Sequence, residues 1–277
     1  MSFPQISILG CGWLGQPLAL DLLQSGHKIV ATCRSKDKAI RLQELGLSTA
    51  VYALGDDLTQ GHLTEVFNSK LLILNIPVGR KTPDSNVFLN NIHSLLIHAA
   101  KSSIDKIIFI STTSIYGEPE GVVVEQTTPH PVTESAKVNL AIEGLVKRYF
   151  AERSTIIRLA GLVGADRHPA KFLAGKLNLA NPNQVVNLIH QLDVISAIKH
   201  IIKFSLWSKT LHLSATQHPS RDEYYTYAAK QLGLTPPTFI DSPEIKSGKI
   251  IDASSSLNIL KMTLAYPNPF DMLGDKA

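Results

Sequence analysis

Apolar and polar positions along the 277-residue chain change period several times, and the changes mark out elements. QISILG, HKIVATC, TAVYAL, KLLILNI and DKIIFIS are nearly continuous apolar runs of the length of a buried strand. Between them apolar residues recur at helical spacing in WLGQPLALDLLQSG, KDKAIRLQELG, a short HLTEVFNS and the long DSNVFLNNIHSLLIHAAKSS. Gly26 and Gly46 stand where helix C-caps are expected. A further helix is predicted over 134–151 and a sixth strand at STIIRLAG. Strands apolar on both faces, alternating with helices, predict an α/β fold: a doubly wound parallel sheet of the Rossmann type.

Beyond about residue 165 the pattern loosens. RHPAKFLAGK and NLANPNQV read as a loop-rich insertion, NLIHQLDVISAIKHIIKFS starts another helix, and TLHLSA returns one more strand to the sheet. From SRDEYYTYAAKQLGL to YPNPFDML the chain reads as a small α/β annex with proline-rich joints. The expected division is therefore 1–164 for the sheet domain and 165–277 for a C-terminal α/β subdomain, with about 184–216 packing back onto the sheet.

The sharpest local signal is Gly10-Cys11-Gly12-Trp13-Leu14-Gly15, directly after the first strand and opening the first helix. Gly10 permits the tight turn, Gly12 lets the backbone approach a pyrophosphate, and Gly15 lets helix and strand pack closely. Free N–H groups at the helix start, around Trp13 and Leu14, suit the phosphates. Pro17 falls in the first helical turn, where its missing N–H costs little. A lone GxGxxG is a weak signal, but in this βαβ context it predicts dinucleotide binding.

An acidic residue about 20 positions on would hold a ribose 2′-OH. The second strand instead ends in Arg34, followed by Ser35, Lys36, Asp37 and Lys38. A guanidinium with a hydroxyl and ammonium groups nearby suits a 2′-phosphate, so NADP is expected ahead of NAD. Asp57 and Leu58 follow the third strand, where such folds place groups against the adenine; Asp57 also reads as a cap for the next helical run. Asn75, closing the fourth apolar run, completes the expected cofactor set.

Composition narrows the class. With 44% apolar and 18% charged residues the chain can bury a large core. The net charge of +4 is scattered, without basic runs interleaved with aromatics, so no nucleic-acid partner is expected. No apolar stretch reaches membrane-spanning length, and the opening segment lacks the basic region of a secretory signal, so a cytoplasmic location with no membrane partner is expected. Cys11 and Cys33 read as free thiols. His93 and His98 lack a partner at ligand spacing, so no metal site is expected.

ISTTSIYG at 110–117 resembles the fifth-strand motif of the extended short-chain dehydrogenase/reductases, the superfamily of NAD-dependent epimerases and dehydratases. RLAGLVGADRHP resembles that family's sixth-strand Arg-x-x-x-x-Tyr-Gly-Pro element, although Val163-Gly164-Ala165 stands for Tyr-Gly-Pro. NLIHQLDVISAI resembles its Ile-His-x-x-Asp-Val element, and LAYPNPFDML resembles the closing segment of an atypical, YeeZ-like subgroup. The resemblance spans nearly the whole chain.

The resemblance implies a catalytic Tyr-x-x-x-Lys pair on the helix after the fifth strand, with a Ser/Thr hydroxyl orienting the substrate carbonyl. Counting from the motifs, the hydroxyl falls on Thr112, but the pair falls on Ser135 and Asn139. A serine hydroxyl does not ionise near neutrality and Asn139 carries no charge. Lys137, two positions from Ser135, points elsewhere on the helix. Tyr116 is the phenol that could replace the missing acid. The YeeZ-like subgroup also departs from Tyr-x-x-x-Lys. Relatives hold nucleotide sugars at the carboxyl edge of the sheet, which implies Thr112, Tyr116, Asn187 and Arg167 as substrate-facing positions. His190 and Asp193 read as loop-fixing and helix-capping residues. Pairing through the helices at 84–103 and 134–151 is common in the family, so the resemblance makes a homodimer one expected assembly, while no apolar stripe in the sequence fixes the oligomeric state.

The expectation is an NADP-binding, epimerase/dehydratase-like oxidoreductase acting on a nucleotide sugar or related carbonyl compound, without the usual acid/base pair. The alternative is a catalytically silent NADP(H)-binding sensor.

Overall fold

The structure is a computed structural model that describes residues 5–79, 84–164, 167–241 and 247–273. Met1–Pro4, at the start of the first predicted strand region, and Ala165 of the Val-Gly-Ala element lie outside the described residues.

In chain order the first elements are β1 (Ile6–Leu9), α1 (Gly15–Gln24), β2 (Ile29–Cys33), α2 (Lys36–Glu44), β3 (Ser48–Val51), α3 (Thr64–Phe67), β4 (Leu71–Leu74), α4 (Ser85–Ala100), β5 (Lys106–Thr112) and β6 (Gly121–Val123). They are followed by α5 (Glu134–Phe150), β7 (Ser154–Leu159), β8 (Gly161–Val163), α6 (Ala170–Leu173), β9 (Leu188–His190), α7 (Gln191–Phe204), β10 (Lys209–Leu213), α8 (Arg221–Gln231), β11 (Lys249–Ile251) and α9 (Ser254–Leu260).

Seven strands form one sheet in the order β10-β7-β5-β4-β1-β2-β3. The pairings β1–β2, β1–β4, β2–β3 and β4–β5 are parallel, with Ile6 opposite both Ile29 and Leu71. Strand order reverses between β1 and β4, which is the doubly wound arrangement expected from the alternating pattern. Every residue of β1, β2 and β4 is buried, which is why these strands read as continuous apolar runs. Gly26 and Gly46 follow α1 and α2 with φ of +91° and +88°. His27 N–H reaches the Leu22 carbonyl, and Leu47 N–H that of Leu42, closing both helices in Schellman fashion.

The contacts divide the chain into two units, each drawn from three segments. The first unit comprises 1–115, 129–157 and 205–210; the second comprises 116–128, 158–204 and 211–277. The expected division cuts at 164 and returns about 184–216 to the sheet, whereas the contact-based one is interleaved and returns 205–210 to the first unit. The loop after β5 and the chain from Arg158 onward, apart from 205–210, belong to the second unit.

The first unit has a core of Leu9, Val30, Leu72, Leu74, Leu95, Phe109, Ile142 and Phe150 with their neighbours, packed between strands and helices. The second has its own core around Val163, Leu188, Tyr224, Ala228, Tyr266 and Met272. It also carries two small parallel pairs, β6 with β11 and β8 with β9. NLIH, which reads as a helix start, is instead β9: Leu188–His190 are all buried and pair with Gly161–Val163, and the helix begins at Gln191. No helix among the described residues is long and apolar enough to cross a membrane.

Candidate functional site

The glycine loop lies in the first unit, after β1. Gly10 has φ of +97°, and a Cβ there would collide with the Asn75 backbone carbonyl. A Cβ at Gly15 would collide with the Gly10 carbonyl oxygen. Both glycines are thus demanded by the chain's own geometry. Gly12 is different. It is exposed, and a Cβ there would meet nothing within 4 Å. The protein leaves open space where a ligand backbone would approach, so the loop fits a bound pyrophosphate.

Bonds from β2 and from the end of β4 hold the loop. The Gly10 N–H donates to Thr32 Oγ1 at 3.1 Å, the Cys11 N–H donates to the Thr32 carbonyl at 2.9 Å, and Asn75 Nδ2 donates to the Gly10 carbonyl at 2.9 Å. Asn75 thereby positions the loop from the end of β4. Thr32, which carries no motif, does the same from β2. The Leu14 side chain is only 5% exposed and belongs to the interior, so what it can offer a ligand is backbone. The N–H groups of Leu14 and Gly15 have no acceptor among the described residues. Burial pushes the Cys11 thiol up to about 11, against the pull of the Lys38 ammonium nearby.

At the end of β2, Arg34 is exposed and its guanidinium has no partner among the described residues. The Ser35 hydroxyl is engaged: it caps α2 by accepting from Lys38 N–H at 3.4 Å. Asp57 Oδ1 accepts from both the N–H and the hydroxyl of Thr59, at 2.9 and 2.8 Å, and these bonds hold its carboxyl below the usual range. This local turn is the cap-like role, and the carboxylate remains exposed. Leu58 packs partly buried against the first unit's core.

The fifth-strand motif up to Ile115, and α5, are also in the first unit. Thr112 Oγ1 accepts from Ser114 N–H at 3.1 Å and lies 3.0 Å from Ser114 Oγ. Beside it, Ser111 donates its hydroxyl hydrogen to Glu143 Oε1 at 2.6 Å, and both residues are buried. Thr133 caps α5 through Ala136 N–H. Ser135 and Asn139 are half-buried, one turn apart on one face of α5. The Asn139 amide donates back to the Ser135 carbonyl at 2.8 Å, and Ser135 Oγ lies 3.3 Å from Thr133 Oγ1. Lys137 is on the exposed side, paired with Glu134 at 2.7 Å.

The remaining positions fall in the second unit. Tyr116 is 1% exposed, and its hydroxyl bonds to His212 Nε2 at 2.6 Å and to Arg158 Nη1 at 2.5 Å. His212 Nδ1 lies 3.0 Å from the Asp252 carbonyl, which can only accept, so Nδ1 carries the hydrogen and Nε2 accepts from the phenol. Burial holds the imidazole below its ordinary pKa and therefore neutral. Arg158 also donates to the Glu125 carbonyl at 3.1 Å. The Tyr116 hydroxyl is thus enclosed in a buried network, which does not suit the expected replacement acid. Nothing in the sequence pattern joins Tyr116 to His212.

Asn187 spends both ends of its amide on β11, donating to the Lys249 carbonyl at 2.8 Å and accepting from Ile251 N–H at 2.9 Å. Arg167 is exposed, bridged through its backbone to Gly164. Asp193 is 1% exposed, and its two oxygens accept from Ala265 and Tyr266 N–H groups at 2.7 and 3.1 Å. His190 Nδ1 accepts from Leu192 N–H at 3.3 Å and its ring stacks on Tyr266. These two residues hold the closing LAYPNPF segment.

Residues 6–204 match the NAD dependent epimerase/dehydratase family. The chain is 33% identical to protein YeeZ of Escherichia coli K12 over 270 residues, covering 97% of this chain and 98% of that protein. Among solved structures, MoeE5 in complex with UDP-glucose and NAD superposes with a TM-score of 0.79 at 19% identity, over 97% of this chain and 96% of that one. The UDP-glucuronic acid 4-epimerase from Bacillus cereus in complex with NAD gives 0.79 at 18% identity, with the same coverage.

Proposed function

We propose, from the premise that the chain belongs to the NAD dependent epimerase/dehydratase family, that it binds a nicotinamide dinucleotide along its glycine loop and acts on a nucleotide sugar or related carbonyl compound. The observation that carries the reading is Gly12, exposed over open space in a loop whose other two glycines are explained by packing. NADP is preferred to NAD, because Arg34 stands at the end of β2 where a ribose-binding carboxylate would repel a 2′-phosphate. The UDP-glucose and NAD bound to MoeE5, and the NAD bound to the UDP-glucuronic acid 4-epimerase of Bacillus cereus, support the substrate class.

When bound, the dinucleotide supplies hydride exchange with a substrate carbon. The chain's part is to orient and to handle the proton. Thr112 Oγ1 offers a hydroxyl for the substrate oxygen in exchange for its contact with Ser114 Oγ. We place Ser135 and Asn139 where relatives carry Tyr and Lys. Neither supplies an acid near neutrality, and the Asn139 amide is directed at its own helix. With Tyr116 enclosed, the proton comes from a water held by Ser135 or from the substrate itself.

A second reading, a catalytically silent NADP(H) sensor, is favoured by one fact: Tyr116, Ser135 and Asn139 all direct their polar groups at internal partners. Titration of the purified protein with NADPH and NADH tests the cofactor assignment. NADPH binds more tightly, and Arg34→Ala removes the difference; equal affinities for the native protein refute it. Incubation of the protein with NADP+ and UDP-glucose or UDP-glucuronic acid then separates enzyme from sensor by whether the absorbance of reduced cofactor appears, a sugar hydroxyl carbon giving up hydride to the oxidised nicotinamide.

A further inference from the structure

Where β1 leaves the sheet, its ladder with β2 slips by one residue. Ile8 stands opposite Ala31, a register that, continued, sets Gly10 opposite Cys33. Gly10 turns away instead: its φ is +97° and its N–H goes to Thr32 Oγ1 at 3.1 Å. Cys11 takes the vacated place, donating its N–H to the Thr32 carbonyl at 2.9 Å. Earlier in the same ladder Ile6 donates to the Lys28 carbonyl and faces Ile29. By the same relation Cys11 faces Cys33 across the strand pair. This glycine-led bulge sets the chain's two cysteines side by side.

Neighbouring strands lie about 4.8 Å apart, and a disulfide spans Cα separations of about 4.4–6.8 Å. Both thiols are free and buried, with Cys33 Sγ donating to the Ser35 carbonyl at 3.4 Å. Burial above all, then the Cys33 sulfur, raises the Cys11 thiol to about 11 against the pull of Lys38. In the closed loop it therefore stays protonated and unreactive. Opening of the loop removes the burial, and an exposed cysteine titrates near a pKa of about 8.5. A dinucleotide seated on the loop disfavours that opening. In turn, a disulfide needs Cβ atoms about 3.8 Å apart, which draws Cys11, and Gly12 with it, towards β2. That displaces the backbone a pyrophosphate approaches.

We infer that Cys11 and Cys33 are a dithiol modification site at the glycine loop, oxidised by peroxide to a disulfide in the cofactor-free protein, and that disulfide and dinucleotide disfavour one another. The inference rests on the proposed dinucleotide binding. One sulfur, as thiolate, attacks peroxide and breaks its O–O bond, giving a sulfenic acid and hydroxide. The other sulfur attacks the sulfenic sulfur, forming the S–S bond and expelling the second oxygen. Two electrons pass from the sulfurs to peroxide, and the two thiol protons leave with its oxygens as two waters. Linkage makes the antagonism reciprocal: NADPH disfavours the disulfide by the factor by which the disulfide weakens NADPH.

Hydrogen peroxide treatment of the whole protein, followed by unfolding, alkylation with N-ethylmaleimide and mass spectrometry, reads the bond directly. In cofactor-free protein neither cysteine is alkylated, and cleavage after Lys28 leaves the Cys11 and Cys33 peptides joined. Saturating NADPH slows the reaction roughly tenfold or more, and the oxidised protein binds NADPH with a Kd raised roughly tenfold or more until dithiothreitol restores it. Cys11→Ala and Cys33→Ala each leave a single thiol that stops at the sulfenic acid, trapped by dimedone. Two thiols that still take up N-ethylmaleimide, after an exposure that oxidises the urea-unfolded protein, overturn the inference. So does a disulfide that forms equally fast with NADPH bound, a result that leaves the dinucleotide reading intact. If NADPH does not bind the reduced native protein, that reading fails and the antagonism fails with it.

Discussion

The Tyr116 hydroxyl sits between two buried partners, donating to His212 Nε2 across 2.6 Å while accepting from Arg158 at 2.5 Å. Removing the oxygen leaves a buried guanidinium and a buried imidazole each short of one partner. Tyr116→Phe therefore lowers unfolding stability by about 1–3 kcal/mol, read as a lower urea midpoint. NADPH affinity is unchanged, because the glycine loop belongs to the other unit. A variant of native stability that loses turnover would instead place the phenol in the chemistry.

His168 makes the second unit acid-sensitive. Its Nδ1 accepts from Ala170 N–H at 3.2 Å, so the ring hydrogen is on Nε2, 2.9 Å from the Tyr224 hydroxyl. Burial, aided by the Lys171 charge, lowers its pKa to about 4. The unfolded chain takes up this proton near pH 6.5, so the group's contribution is present above that pH and is lost as pH falls from about 6.5 towards 4. Between pH 7 and 5 the loss is roughly 2 kcal/mol. His168→Asn keeps an acceptor for Ala170 N–H and removes the titration, so its stability changes less over the same pH interval. An identical pH dependence in both proteins rejects the assignment.

The three loop glycines separate by cause. Gly15→Ala meets the Gly10 carbonyl and costs about 2 kcal/mol of stability, at the upper end of ordinary point changes. Gly12→Ala changes stability by less than about 0.5 kcal/mol, having nothing to strike, yet weakens NADPH at least tenfold by filling the space over the loop. Thermal unfolding and a binding titration on the two variants check the contrast. Unimpaired NADPH binding by Gly12→Ala would move the cofactor off the loop.

Ser135→Tyr with Asn139→Lys places a phenol and an ammonium one turn apart on α5. The double variant gains hydride transfer on UDP-sugars, measured as cofactor absorbance change, and retains NADPH affinity. No gain with cofactor bound counts against an epimerase-like geometry around Thr112.

Much of the architecture is legible because buried strands announce themselves: KLLILNI can be little else, and β4 within it is buried throughout. The three-residue strands β6, β8, β9 and β11 are too short to show a period, so NLIH merges with the helix that follows. The glycine loop is legible because its residue types are forced by local geometry. Its supports are not: Thr32 reaches Gly10 across 22 positions, Tyr116 reaches His212 across 96, and Asn187 reaches Lys249 across 62. A serine, a tyrosine or an asparagine gives no sign in sequence of whether it will face a ligand or a carbonyl elsewhere in its own chain.

The interleaved division sets the order in which the two units can be completed during synthesis. The first unit needs residues 205–210, where Ser208 N–H bonds the Ser154 carbonyl, and these emerge only after all of 158–204. The second unit begins with 116–128, made before the helix that the first unit still lacks. Neither half can finish while the other waits, so a nascent chain stopped at residue 204 lacks the last segment of both units. Its exposed edges at that point are the ones a chaperone would have to cover.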